Sequence, residues 1–155
     1  MRKHILALLT ACCIVLTTVG CQKSTHEAGS ISGYDEGEKY LSIWVHSIED
    51  TDEGKCYREA VESFNKAYDG KYFADIEFIP RNDSGGGYSD KINASVMSGD
   101  LPDVLTVDGP NIAAYAENGI IQPLAEISEK EKSEYLESII EQGTYNDKLY
   151  ALGAM

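Results

Sequence analysis

Residues 97–104 read Met97-Ser98-Gly99-Asp100-Leu101-Pro102-Asp103-Val104, and this stretch carries the chain out of a helix and into a strand. Gly99 suits the left-handed conformation that closes a helix. Pro102 lacks the N–H that a continuing helix needs, and Asp103-Val104 opens an extended segment. Ahead of it, Tyr88, Ile92, Ser95 and Val96 recur at three- and four-residue steps, which predicts a helix with one apolar face. Beyond it, Val104, Leu105 and Val107 form a short strand between Asp103 and Asp108. Pro110 then stands at the first turn of another helix, where its missing N–H costs nothing. Ile112, Ala113, Tyr115 and Ala116 give that helix its apolar side, and Gly119 stops it.

The same alternation extends upstream. Tyr40 to His46 (YLSIWVH) is rich in β-branched and aromatic residues, with Leu41, Ile43 and Val45 on one face, and reads as a strand. The acidic turn Glu49-Asp50-Thr51-Asp52-Glu53 supplies N-cap candidates and negative charge where a helix dipole favours it. Tyr57, Ala60, Val61, Phe64, Ala67 and Tyr68 then make one helical stripe, closed by Asp69-Gly70. Ala74 to Ile79 is a second strand ended by Pro80, and Arg81 to Gly87 (RNDSGGG) is a loop. Downstream, Glu129 to Glu141 predicts a helix with Tyr135, Leu136, Ile139 and Ile140 inward. Tyr145 to Tyr150 predicts a hairpin turning at Asn146-Asp147. Strand and helix alternate three times, which predicts an α/β fold with a mainly parallel sheet and flanking helices.

The 155-residue chain carries a formal charge of −13. So large an acidic excess repels phosphate backbones and anionic surfaces, which argues against a nucleic-acid partner. The first 20 residues have another grammar: Arg2 and Lys3, then an apolar run from Ile5 to Val19, then a small residue before Cys21. That is the pattern of a secretory signal, and the run is shorter than the roughly 20 residues a spanning helix needs. Removing residues 1–20 takes away two positive charges and leaves −15. Residues 21–39, rich in Gly, Ser and charge, read as a flexible tether, and residues 40–155 as one folded unit. Of four cysteines, Cys12, Cys13 and Cys21 lie in the leader region. The body keeps Cys56, expected to be a small buried hydrophobe, with no disulfide partner and no metal-ligand spacing.

Thr18-Val19-Gly20-Cys21 resembles a bacterial lipobox, which implies a diacylglycerol on Cys21 and attachment to the extracytoplasmic face of the cell membrane. The body resembles the N-terminal lobe of an extracellular solute-binding lipoprotein of an ABC importer, of the sugar-binding type. The stretches that carry the likeness are Leu41 to Val45, Ala60 to Tyr68, Tyr88 to Ile92 leading into Met97 to Val104, then Tyr115-Ala116-Glu117-Asn118-Gly119-Ile120-Ile121-Gln122-Pro123-Leu124, and Tyr145 to Leu152. SGDLPDV with YAENGIIQPL is its specific part. The resemblance implies a periplasmic-binding-protein-like lobe, a carbohydrate or other small solute as ligand, and permease subunits as partners. It also implies a second lobe that these residues do not supply, so the chain reads as an incomplete unit.

Ligand contacts in that family come from loops at the carboxyl ends of the lobe's parallel strands, where open α/β sheets bind. Carried onto this chain, the resemblance implies Asp83 and Asp108 as acceptors for ligand hydroxyls, with His46 or Ser47 lining the cleft. Trp44 either stacks on a sugar face or packs under a helix. Asp108 has a structural alternative as the cap of the helix begun at Pro110, and His46 as a solvated strand end. Gly85-Gly86-Gly87 lacks a following Gly-Lys-Ser or Gly-Lys-Thr, so no phosphate cradle and no cofactor is expected. No Ser-His-Asp or Cys-His set is visible among His4, His26 and His46, which disfavours an enzyme. The other reading is a surface lipoprotein, an adhesin or receptor fragment, that binds a protein.

Overall fold

The computed structural model describes residues 35, 37–81, 86–125 and 127–153. The leader, Cys21, most of the tether and Asp83 lie outside these residues. Three parallel strands form the frame: β1 (Lys39–Val45), β2 (Tyr72–Phe78) and β3 (Val104–Leu105), in the order β2-β1-β3. β1 is central and pairs with β2 along its whole length, from Lys39 opposite Tyr72 to Val45 opposite Phe78. Its other edge pairs Ile43 with Val104 and Trp44 with Leu105. The hydrogen bond from Thr106 N–H to the Trp44 carbonyl, 3.0 Å, extends this pairing past β3.

Helix α1 (Asp52–Ala67) begins at Thr51, whose hydroxyl accepts the Gly54 N–H at 3.1 Å, with Asp52 and Glu53 in the first turn. Its cap therefore falls within the predicted acidic turn. The predicted stripe is narrower than expected: Tyr57, Val61 and Phe64 are half-buried, whereas Ala60, Ala67 and Tyr68 are exposed. Cys56 is exposed, correcting the buried assignment; it lies on the solvent side of the helix, one residue before the inward Tyr57. Asn65 supplies what the edge strand β2 lacks. Its side chain accepts the Ala74 N–H at 2.7 Å and donates to the Ala74 carbonyl at 2.9 Å, replacing a neighbouring strand at one residue.

Helix α2 (Gly87–Ser98) buries Tyr88, Ile92 and Ser95, while Val96 sits on its exposed side. The MSGDLPDV stretch works as local rules require. Gly99 has φ +77° and its N–H reaches the Ser95 carbonyl at 2.8 Å; Asp100 N–H reaches the same carbonyl at 3.0 Å. Asp103 then fixes the start of β3 against β1. Its carboxylate accepts from the Ser42 N–H at 2.8 Å and the Ser42 hydroxyl at 2.9 Å, and its own N–H donates back to the Ser42 hydroxyl at 3.0 Å.

Beyond β3, a single 3-10 turn (Gly109–Asn111) precedes α3 (Ile112–Glu117), so the predicted helix starts later than Pro110. Ile112 is buried and Tyr115 and Ala116 half-buried, but Ala113 faces solvent. The predicted helix 129–141 is two short ones, α4 (Glu129–Lys132) and α5 (Glu137–Gly143). Ser133 closes the first by donating from its hydroxyl to the Lys130 carbonyl at 2.7 Å. The break turns Leu136 outward, at 70 % exposure, against the inward placement expected of it. The hairpin forms as expected: β4 (Thr144–Tyr145) and β5 (Lys148–Leu149) are antiparallel, with positive φ at Asn146 (48°) and Asp147 (61°), the mirror-image turn that suits strand twist.

The main core lies between β1 and α2. Trp44, Tyr88 and Ile92 are buried together, with Ile79, Leu101, Leu105, Tyr115 and Ile120 packed around them.

Candidate functional site at the strand ends

The three strands are parallel and in register, so their carboxyl ends arrive at one edge of the sheet. β1 delivers His46, β2 delivers Arg81 by way of Ile79, whose N–H bonds the Val45 carbonyl at 2.9 Å, and β3 delivers Thr106 and Asp108. The amino end of α2 adds Tyr88 to the same rim.

His46 is half-buried and held twice by one side chain. Its N–H donates to Thr106 Oγ1 at 3.1 Å, and its Nδ1 lies 2.5 Å from that oxygen. Its ring also meets the Tyr88 ring, with centroids 5.6 Å apart and planes tilted by 56°. It is thus an ordered member of a network and not a solvated strand end. Tyr88, 4 % exposed, donates its phenol proton towards the carbonyls of Trp44 at 3.1 Å and Thr106 at 3.0 Å. Burial pushes its phenol above the usual value; its hydrogen bonds with the Thr106 side chain and backbone oppose this, and the nearby Tyr115 and Asp108 add to it. Burial and then Asp108 likewise raise Tyr115.

Asp108 pairs with Arg81 across the rim. The structure shows no side-chain cap from Asp108 onto the turn it precedes, which removes the capping alternative. Both partners are more than 40 % exposed, and ion pairs this exposed contribute about 0–1 kcal/mol. Either group can therefore turn to a ligand at small cost.

Two other candidates are placed elsewhere. Trp44 is 8 % exposed in the α2-facing core, with the Lys91 ammonium 4.2 Å from its ring centroid. Its ring is covered by the helix, which excludes stacking on a ligand. Ser47 is 4 % exposed, and its hydroxyl donates to Glu53 Oε2 at 2.7 Å inside the β1–α1 connection. It ties strand to helix and does not line a cleft. Asp83 lies outside the described residues. Sequence reasoning missed Arg81, Thr106 and the second role of Tyr88. A signal existed for the first two, since each stands within three residues of a parallel strand's carboxyl end.

Residues 59–154, more than half of the chain, match a family described as bacterial extracellular solute-binding protein. The chain belongs to that family. Solved structures agree with the assignment. A family 1 extracellular solute-binding protein from Alicyclobacillus acidocaldarius superposes with a TM-score of 0.62 at 25 % identity, over 77 % of this chain and 28 % of that one. The galacto-N-biose/lacto-N-biose I-binding protein of an ABC transporter from Bifidobacterium longum, solved with lacto-N-biose, gives 0.61 at 18 % identity, over 77 % and 29 %. An extracellular solute-binding protein from Staphylococcus aureus, solved with maltose, gives 0.56 at 20 %, over 74 % and 28 %. No curated protein matches.

This solute-binding protein thus has the α/β fold of a periplasmic-binding-protein-like lobe, and it spans little more than a quarter of the length of these solved relatives. The family is one of extracellular binding proteins and not of enzymes. Among the described residues no group of three or more His, Cys, Asp and Glu is arranged to hold a metal ion.

Proposed function

We propose that this chain forms the ligand-holding amino-terminal lobe of the substrate-binding component of an ABC importer, that its ligand is a carbohydrate, and that it hands this ligand to permease subunits. The observation that carries the reading is the convergence of His46, Arg81, Thr106 and Asp108 at the carboxyl ends of three parallel strands. This is the edge where open α/β sheets hold ligands. Asp108 and Arg81 offer a carboxylate acceptor and a forked donor, the pair of functions that vicinal hydroxyls engage. Relatives of the same fold, solved with lacto-N-biose and with maltose, support the choice of ligand class. The leader at residues 1–20, a lipid-bearing Cys21 and the tether over 21–39 complete the reading, by holding the lobe at the outer face of the membrane.

Isothermal titration of the full protein with maltose, lacto-N-biose and a panel of other oligosaccharides tests it. One sugar is expected to bind, and Asp108→Asn is expected to weaken it at least about ten-fold, as losing a charged hydrogen-bond partner does. Unchanged affinity in Asp108→Asn, with a lowered melting temperature, would remove Asp108 from the site. Failure of the whole panel together with retention of a protein partner would favour the adhesin-like alternative.

A further inference from the structure

The hydroxyl of Thr106 stands between three polar groups and has one proton to give. The His46 N–H points at it from 3.1 Å and takes one lone pair. The Tyr88 phenol directs its own proton at the carbonyls of Trp44 and Thr106, so towards Thr106 Oγ1 it can act as acceptor, at 3.3 Å. His46 Nδ1 is nearer, at 2.5 Å; without a proton it is an acceptor for the Thr106 hydroxyl, and with one it would be a second donor on an oxygen that already takes the His46 backbone N–H. An O–H donor spends its proton on the nearer, better acceptor, and hydrogen bonds weaken steeply with distance.

We infer that Thr106 is a positioning residue: it donates to His46 Nδ1 and holds the neutral imidazole in the tautomer that carries its proton on Nε2. Which nitrogen of a histidine is protonated follows from the bond its other nitrogen makes. Here that bond is set 60 residues away along the chain. The tilted Tyr88 ring confines the imidazole plane, so the remaining N–H has a defined direction. His46 is then a hydrogen-bond donor, and the partner it selects is a ligand oxygen with a lone pair, such as a sugar hydroxyl, a ring oxygen or a carboxylate. This last step rests on the strand-end reading above. The tautomer does not.

Long-range nitrogen–proton NMR of the full protein, labelled with nitrogen-15 in histidine and recorded at pH 8, reads the tautomer without any ligand. His46→Gln identifies the resonances. The expected result is an acceptor-type Nδ1 and a protonated Nε2 in the parent. In Thr106→Val both shifts are expected to move towards those of a tautomer mixture, and Thr106→Ser is expected to restore the parent shifts. A protonated Nδ1 in the parent overturns the inference, as do parent shifts retained in Thr106→Val. If the valine variant fails to fold, the parent spectrum and the serine variant still decide. Maltose titration of the same samples separates the two readings. Weakening of about five- to ten-fold in Thr106→Val with recovery in Thr106→Ser is expected from loss of one oriented hydrogen bond. Maltose that binds neither form, alongside the expected tautomer, counts against maltose as ligand and leaves the positioning by Thr106 intact.

Discussion

Replacing Tyr88 by phenylalanine removes one oxygen and keeps a buried ring, so its effect isolates the link between β1 and β3. The phenol proton is shared between the carbonyls of Trp44 and Thr106, at 3.1 and 3.0 Å. The Trp44 carbonyl keeps a second bond, from Thr106 N–H at 3.0 Å, so it remains satisfied in the variant. The Thr106 carbonyl loses the phenol, in a half-buried position that water reaches in part. A net hydrogen bond contributes about 1 kcal/mol, and an orphaned carbonyl adds a fraction of its desolvation cost, which together give about 1–2 kcal/mol of lost stability. In a domain of this size that lowers the melting temperature by roughly 4–10 °C. Urea unfolding followed by the fluorescence of Trp44, the single tryptophan of the chain and 8 % exposed, measures it directly. A loss of less than about 0.3 kcal/mol, within the error of reading contacts as energies, would refute the bridging role.

Three further outcomes follow from the same reasoning. Asn65→Leu removes both bonds to Ala74; the expected cost is about 1–3 kcal/mol, with hydrogen-exchange protection falling first at the amides of β2. Gly54→Ala would place a Cβ 2.2 Å from the Ile48 carbonyl oxygen and 2.7 Å from that of Glu49, backbone atoms that cannot swing aside. That crowding is expected to cost about 3 kcal/mol, whereas Gly109→Ala, with no atom within 4 Å, stays within about 0.5 kcal/mol of the parent in the same thermal melts. The Glu131 carboxyl is held below its usual value by hydrogen bonds from the Ser128 hydroxyl and N–H. A carboxyl lowered in the folded state stabilises it above the unfolded value, and this contribution is lost as pH falls through the folded one. Acid titration by NMR should therefore loosen α4 only below the ordinary glutamate range, and Glu131→Gln should remove that step.

Much of the fold is legible because it rests on residues close together in the chain. Gly99 ends α2, Thr51 begins α1 and Asn146-Asp147 turns the hairpin, each through contacts within five residues. The errors also have local causes. The apolar spacing of 129–141 fits a continuous helix, but the Ser133–Lys130 bond closes the first turn early and leaves Leu136 exposed. The candidate site was legible as a place and less so as a set of residues. His46 and Asp108 stand at the predicted rim. Ser47, adjacent to His46, turns to the other side and bonds Glu53 because successive residues of an extended chain alternate sides, whereas Trp44, two residues back on the side of His46, lies deeper in the core with Tyr88 and Ile92.

By itself the sequence determined that strands and helices alternate, and where α1 begins, α2 ends and the hairpin turns, since period, caps and φ requirements act over a few residues. Tertiary structure alone decided which strand is central, that Asp103 meets Ser42, that Thr106 meets His46 and that Arg81 meets Asp108, pairs separated by 61, 60 and 27 residues. Those meetings depend on the register of parallel strands. Register is set by the burial of Trp44 and Val45 on the two opposite faces of β1, because a one-residue slip would exchange the side chains that each covered face receives.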